Sequence, residues 1–367
     1  MFNFKKPQSV IGFDLGLEKL NMVQVTRVLG QTKIQAAVSD YHNASYDLLL
    51  AEPERMKKLV KRALASSPFL GRTVVSSMPN TKLQLLFLNY PCKPGQNEAE
   101  ALLTALATRV NSDLREFVID YVPIKPVIEE HQARVALVAL AKKEDAENYL
   151  DLLNKCGLQV AALEIGPVAI RRLLNAMTSD AELEKVMAIN FGTQKSFLTV
   201  LWDGDILLDR PLNFGLESIL QALGQAFDID HKLALKMVHD FGLAQTARLA
   251  GLGVEEEIEE DVQEDVQKVI HDVLTPTFAR LAEEIREVLL YIASETRGGA
   301  VERIYLLGSV ARLRGLEQVI DQLISIPVKV LNPFYGFAAQ DDLSDMANLG
   351  PLSGIAVATG SALRSSK

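Results

Sequence analysis

Apolar and polar positions along this chain follow two periodicities. Short apolar runs bounded by turn residues predict strands at Val10–Phe13, Met22–Val25, Thr73–Ser76, Lys82–Asn89, Phe117–Val122, Ala133–Leu140 and Leu158–Leu163. Between them the apolar spacing lengthens to one helical turn and predicts helices over Glu52–Ala65, Asn97–Arg109, Glu144–Lys155 and Pro167–Met177. In the first helix, Met56, Leu59, Val60 and Leu64 share one side, and Lys57, Lys58, Lys61 and Arg62 form a basic face, read as solvated with an anionic membrane contact as the alternative. Pro53 suits its first turn, and Gly157 after Cys156 suits the end of Glu144–Lys155.

The pattern restarts in the second half. Strands are predicted at Val186–Asn190, Ser196–Trp202, Ile206–Asp209, Arg303–Leu307 and Pro327–Leu331, with Asp203-Gly204 as a hairpin turn. Helices are predicted over Glu217–Phe227, His231–Phe241, Leu316–Ile324 and Ile355–Leu363. A long helix, Thr277–Ala293, carries Phe278, Leu281, Ile285, Val288, Leu289 and Ile292 on one face. The acidic run Val254–Asp265 before it reads as a solvated, helix-rich linker, with a partner or regulatory surface as the alternative. Alternating strands and helices predict α/β architecture. The 367 residues exceed one ordinary domain. The expected division is a first lobe over 1–185 and a second over 186–367. A small α/β subdomain is expected at about 81–160, and a helical one at about 216–300.

Composition removes several function classes. A net charge of −9 opposes general nucleic-acid binding. Cys92 and Cys156 are the only cysteines and have no CxxC spacing, which argues against a disulfide scaffold or a zinc site. The opening MFNFKKPQSVIGFDLG lacks the apolar run of a signal peptide, and no stretch is apolar enough to cross a bilayer. The histidines at 42, 131, 231, 239 and 271 fit no catalytic pattern, and GxSxG is absent.

The informative feature is a repeat. VIGFDLG at 10–16 leads into the returning strand Met22–Val25, and VMAINFG at 186–192 leads into Ser196–Trp202. Each copy is an apolar strand, a polar side chain, a glycine turn and a strand coming back. Glycine turns let backbone amides approach phosphate, and a nearby carboxylate organises magnesium through water.

These segments, with INFGTQKSFLTVLWDGDILLDRPLNFG, RIYLLGSVARLRGL, LNPF and the terminal GIAVATGSALR, resemble in order and spacing the PilM family of type IV pilus assembly proteins. That family is part of the actin-like, FtsA-like ATPase superfamily. LREFVIDYVP and LQVAALEIGPVAI resemble its inserted small domain and the return from it.

The resemblance implies a bilobed, duplicated ribonuclease H-like fold around an ATP cleft. It implies a cytosolic protein held at the bacterial inner membrane by the cytoplasmic N-terminal peptide of a PilN-like partner. That peptide would lie in a groove between the first lobe and the inserted subdomain. Phe117, Val118 and Tyr121 occupy a strand near the expected groove. Other pilus assembly proteins and a homo-oligomer are further expected partners. ATP and Mg2+ are the implied cofactors. Asp14 takes the magnesium-organising role, and Gly16 and Gly192 admit phosphate. Lys19 offsets the charge of Glu18, Asn190 replaces the aspartate of the second turn, and Thr193 offers a hydroxyl. Gly308 and Ser309 pack on adenosine.

The chain departs from the family pattern in these turns. DLGLEKLN replaces a hydroxyl-rich first turn, and Asn21 stands at the usual lysine position. Asn190 lacks the charge that binds metal strongly. Asp205 and Asp209 lie around the second hairpin, but no base is assigned. Slow or absent hydrolysis is expected, with nucleotide in a structural or switching role. An active actin-like ATPase or small-molecule kinase is the alternative. An FtsA-like cell-division protein is another, against which the short tail Leu363–Lys367 offers no amphipathic membrane helix.

Overall fold

The computed structural model describes residues 9–42, 44–93, 95–110, 112–125, 133–177, 185–243, 254–339 and 352–364. The first half contains β1 (Ile11–Leu15), β2 (Lys19–Val28), β3 (Gln31–Tyr41), α1 (Tyr46–Ala51), α2 (Pro53–Ala65), β4 (Thr73–Ser77) and β5 (Gln84–Pro91). It continues with α3 (Glu98–Arg109), β6 (Phe117–Ile124), β7 (Ala133–Lys142), α4 (Lys143–Lys155), β8 (Gln159–Glu164) and α5 (Gly166–Met177). The second half contains β9 (Lys185–Phe191), β10 (Ser196–Trp202), β11 (Asp205–Leu212), α6 (Leu216–Phe227), α7 (His231–Phe241) and α8 (Val254–Glu295). It closes with β12 (Arg303–Gly308), α9 (Leu316–Leu323), β13 (Val328–Val330), β14 (Ala338–Ala339) and α10 (Ala356–Ala362). Among the described residues no helix is long and apolar enough to cross a membrane.

These elements form two compact units. One comprises Met1–Glu184, Leu201–Asp209 and Asn332–Lys367, and the other Lys185–Val200 and Arg210–Leu331. The first is built on a sheet of order β14-β3-β2-β1-β4-β8, with β1, β4 and β8 parallel to one another and β1, β2 and β3 antiparallel in turn. Strand alternation sends Phe13, Leu20 and Met22 to one face, against Leu49, Met56, Leu59, Tyr149 and Leu153. Each large side chain buried there contributes about 1.5–3 kcal/mol. Val23, Val25 and Ile34 meet Phe334, Ile355 and Ala358 in a separate cluster.

The C-terminal segment therefore departs from the expected division. Sequence order gives residues 332–367 to the second lobe, yet α10 packs against β1, β2, β4 and α5. The contact depends on missing side chains. A Cβ at Gly12 would overlap the Ala358 carbonyl, and one at Gly360 would overlap the Ala169 carbonyl. Buried Glu164 fastens the junction by accepting hydrogen bonds from Arg172 at 3.0 and 2.9 Å, Ser361 Oγ at 2.7 Å and Arg364 at 3.3 Å.

The inserted subdomain is narrower than expected. Its own sheet, β5-β7-β6, is antiparallel throughout and ends with β7. Helix α3, capped by Asn97 Oδ1 accepting from Ala99 N at 3.0 Å, buries Leu102 and Leu106 against Leu88, Tyr90 and Val138. Helix α4 and strand β8, placed by sequence in the 81–160 insertion, instead complete the first unit. Tyr149 and Leu153 enter its core, and β8 pairs with β4.

The second unit centres on a sheet of order β11-β10-β9-β12-β13, with β9, β12 and β13 parallel. Phe214 lies between Phe191 and Phe278, edge-to-face with the first at 68° and tilted by 41° to the second, with both ring-centroid distances 5.6 Å. Phe278, Leu281, Ile285, Val288 and Ile292 are buried as the spacing requires. Helix α8 nevertheless starts at Val254, far ahead of the expected Thr277, and contains the acidic run instead of following it. Pro276 lies inside it without ending it.

Candidate functional site

The residues assigned from sequence fall into two groups, one in each compact unit. In the first unit, the β1–β2 hairpin pairs Asp14 with Asn21 and Leu15 with Leu20. Gly16 N donates to the Lys19 carbonyl at 2.9 Å and closes the turn. His42 clasps it from outside. Its Nδ1 accepts from Ala44 N at 3.2 Å, so the ring proton is on Nε2 and is donated to the Gly16 carbonyl at 2.8 Å. Neither His42 nor its contact had a signal in the sequence, because the clasp depends on β3, which the apolar pattern did not predict.

Asp14 is half-buried and already engaged. Its Oδ1 accepts from Ser77 Oγ at 2.8 Å and its Oδ2 from Asn21 Nδ2 at 3.2 Å, while Ser39 Oγ donates to Asn21 Oδ1 at 2.8 Å. Burial raises the carboxyl pKa above its ordinary value and outweighs the opposing hydrogen bonds from Ser77 and Asn21. Lys19 places its ammonium over the Tyr41 ring, 4.1 Å from the centroid. Asp205 meets Lys125 Nζ at 2.6 Å and Arg171 at 3.3 Å, while Asp209 is buried.

In the second unit, the structure brings Asn190, Gly192, Thr193, Gly308 and Ser309 together. Gly308 pairs with Phe191 across β12 and β9. Its φ of +85° and its contact with the Phe191 carbonyl and Asn190 Oδ1 leave no room for a Cβ. Ser309 N and Oγ both donate to the Phe191 carbonyl, at 2.8 and 3.2 Å. Leu216 N and Glu217 N, at the start of α6, donate to the Gly192 and Thr193 carbonyls at 3.1 and 2.8 Å. The turn thus occupies part of a helix N-terminus that would otherwise attract an anion.

The first unit also carries surface concavities. One of about 680 Å³ runs between β5 and α3, lined by Asn89, Lys93, Ala101, Thr104, Thr108 and Arg109. Another of about 370 Å³ separates the start of α2 from α4. Of the residues considered for peptide contact, Phe117 and Tyr121 pack into the core beneath α3, whereas Val118 is exposed.

Comparison with solved structures gives the architecture. The PilM-PilN type IV pilus biogenesis complex contains a chain of 21% identity that aligns with a TM-score of 0.74, over 98% of this chain and 99% of that one. The ethanolamine utilization protein EutJ from Carboxydothermus hydrogenoformans aligns at 14% identity with a TM-score of 0.54, over 96% of this chain and 89% of that one. Both likenesses are of fold. The sequence family described as type IV pilus assembly protein PilM matches residues 12–246 and 248–366. A match of that extent and the actin-like α/β fold agree, and the chain belongs to the PilM family of type IV pilus assembly proteins.

Proposed function

We propose that this chain is a cytoplasmic scaffold of the type IV pilus assembly platform, held at the bacterial inner membrane by the N-terminal cytoplasmic peptide of a PilN-like protein. The family match over nearly the whole chain carries this reading. The small β5-β7-β6 subdomain supports it by offering a surface beyond the two main sheets. Val118 pairs with Ala141, which packs in the core beside α4, so the exposed side of β6 adjoins the body of the first unit.

Nucleotide serves this scaffold as a bound switch, with slow or no turnover. Asp14 is suited to organise magnesium through water, and magnesium would neutralise phosphate charge there. Gly16, Lys19, Asn190, Gly192, Thr193, Gly308 and Ser309 are the remaining residues proposed for ATP. The donor set favours holding over hydrolysis. Asp14 is braced by Ser77 and Asn21, Ser309 Oγ is turned to a backbone carbonyl, and Asp205 is paired with two cations. An activated water needs a positioned base, and none of these groups is poised as one.

The test is calorimetric titration of the full chain with a synthetic N-terminal PilN-like peptide, repeated with Val118→Asp. Saturable binding that weakens about tenfold in the variant, with an unchanged melting temperature, is expected for a partly exposed apolar contact. Absence of binding by the folded parent chain would overturn the scaffold reading.

A further inference from the structure

The β2–β3 hairpin exposes apolar side chains where folding gains nothing from them. Val28 is 42% exposed and Leu29 is 99% exposed. The ladder is buried as far as Val25 and Ile34 by the cluster containing Phe334 and Ile355, but residues 27–31 are exposed. The tip therefore projects roughly 10–15 Å beyond its packed base, at about 3.3 Å per strand residue.

Its turn chemistry is also unusual. Leu29 and Gly30 have φ of +51° and +81°, the pattern of a type I′ hairpin turn. Asparagine or aspartate before glycine is the favoured pair there, because a bulky L side chain is strained at positive φ. Leu29 is thus strained and fully solvated at once, and neither property helps the fold.

The surroundings indicate what it meets. Arg27 and Lys33 flank the tip, and among the described residues neither makes an ion pair. No aspartate or glutamate occurs from Lys19 to Ser39, although the chain carries a net charge of −9. A locally acid-free tip with an apolar apex and cationic shoulders complements an anionic bilayer surface.

We infer that this hairpin tip is a direct membrane contact. Leu29 and Val28 enter the interfacial layer, and Arg27 and Lys33 meet lipid phosphates. One such tip binds only marginally, since stable anchoring needs more than one signal. It therefore acts beside a protein tether, which raises its effective concentration at the surface. This contact goes beyond docking through a PilN-like peptide and does not depend on nucleotide.

The experiment is sedimentation of the full chain with vesicles of phosphatidylglycerol and phosphatidylethanolamine at millimolar lipid, with phosphatidylcholine vesicles as the neutral control. Binding is expected to the anionic vesicles alone and to weaken with salt. Arg27→Gln and Lys33→Gln should each weaken it about fivefold. Leu29→Asn should weaken it about tenfold while keeping or raising the melting temperature, because asparagine suits the turn. Unfolding then cannot explain the loss. No binding by the parent chain, or equal binding by Leu29→Asn, would overturn the inference. So would a concentration-dependent dimer that Leu29→Asn abolishes without altering vesicle binding, since the tip would then be a contact between copies. Capture of the PilN-like peptide by Leu29→Asn should be unchanged, so failure of lipid binding and failure of the scaffold reading remain distinct.

Discussion

Asp14 combines a functional assignment with an electrostatic cost. Its folded pKa is raised, so folding is favoured while the carboxyl is protonated and loses that contribution as pH rises through the raised value. Stability of the nucleotide-free chain should accordingly decline from about pH 4 upward by an Asp14-dependent amount. Asp14→Asn should flatten that slope in urea titrations across this range, and an unchanged slope would mean that other groups set it. In magnesium-ATP calorimetry, Asp14→Ala should bind at least about tenfold more weakly, the scale of losing an outer-sphere partner of a metal. The sequence singles out Asp14 because the DLG turn is short and a similar pattern recurs at Gly192. It concealed the partners. Ser77 and Ser39 lie on β4 and β3, and only sheet order brings them to the β1 end.

At the scale of elements, periodicity worked where one face is apolar and the other polar. Helix α2 buries Met56, Leu59 and Val60 as the pattern requires, and Asp203-Gly204 forms its turn with φ of +49° and +76°. No apolar pattern marks strand β3, because the sequence stops alternating there. Buried Gln35 donates to the Pro68 carbonyl at 3.2 Å, as Gln24 on β2 donates to the Leu70 carbonyl at 2.8 Å, so polar inward residues serve loop backbone. Proline and acidic residues both signal boundaries, so the sequence points to a later start for α8 than the structure has. Gly12 belongs to this scale too, since it sets how closely α10 approaches β1. Gly12→Ala forces backbone apart and should cost about 3 kcal/mol or more in chemical denaturation, with loss of amide protection along α10 as the local readout. Normal protection of α10 in that variant would show that the helix can shift aside without detaching.

For the whole molecule, the second compact unit begins at Lys185, and membership of the end of the chain did not follow from sequence order. Local pattern predicted a helix at 355–363, and no local signal says which sheet that helix covers. A chain truncated after Leu331 should lose hydrogen-exchange protection throughout β1, β2 and β4 while β9 and β12 stay protected. Equal protection in both sets would mean that the first unit folds without α10. The same threading constrains biosynthesis. Gly12 leaves the ribosome 346 residues (358 − 12) ahead of its packing partner Ala358. At about 5–20 residues per second, the first sheet waits on the order of tens of seconds for the helix that covers it. During that interval the apolar backs of β1 and β2 are open to chaperones and to neighbouring nascent chains, so a sheet made early is finished only when α10 emerges.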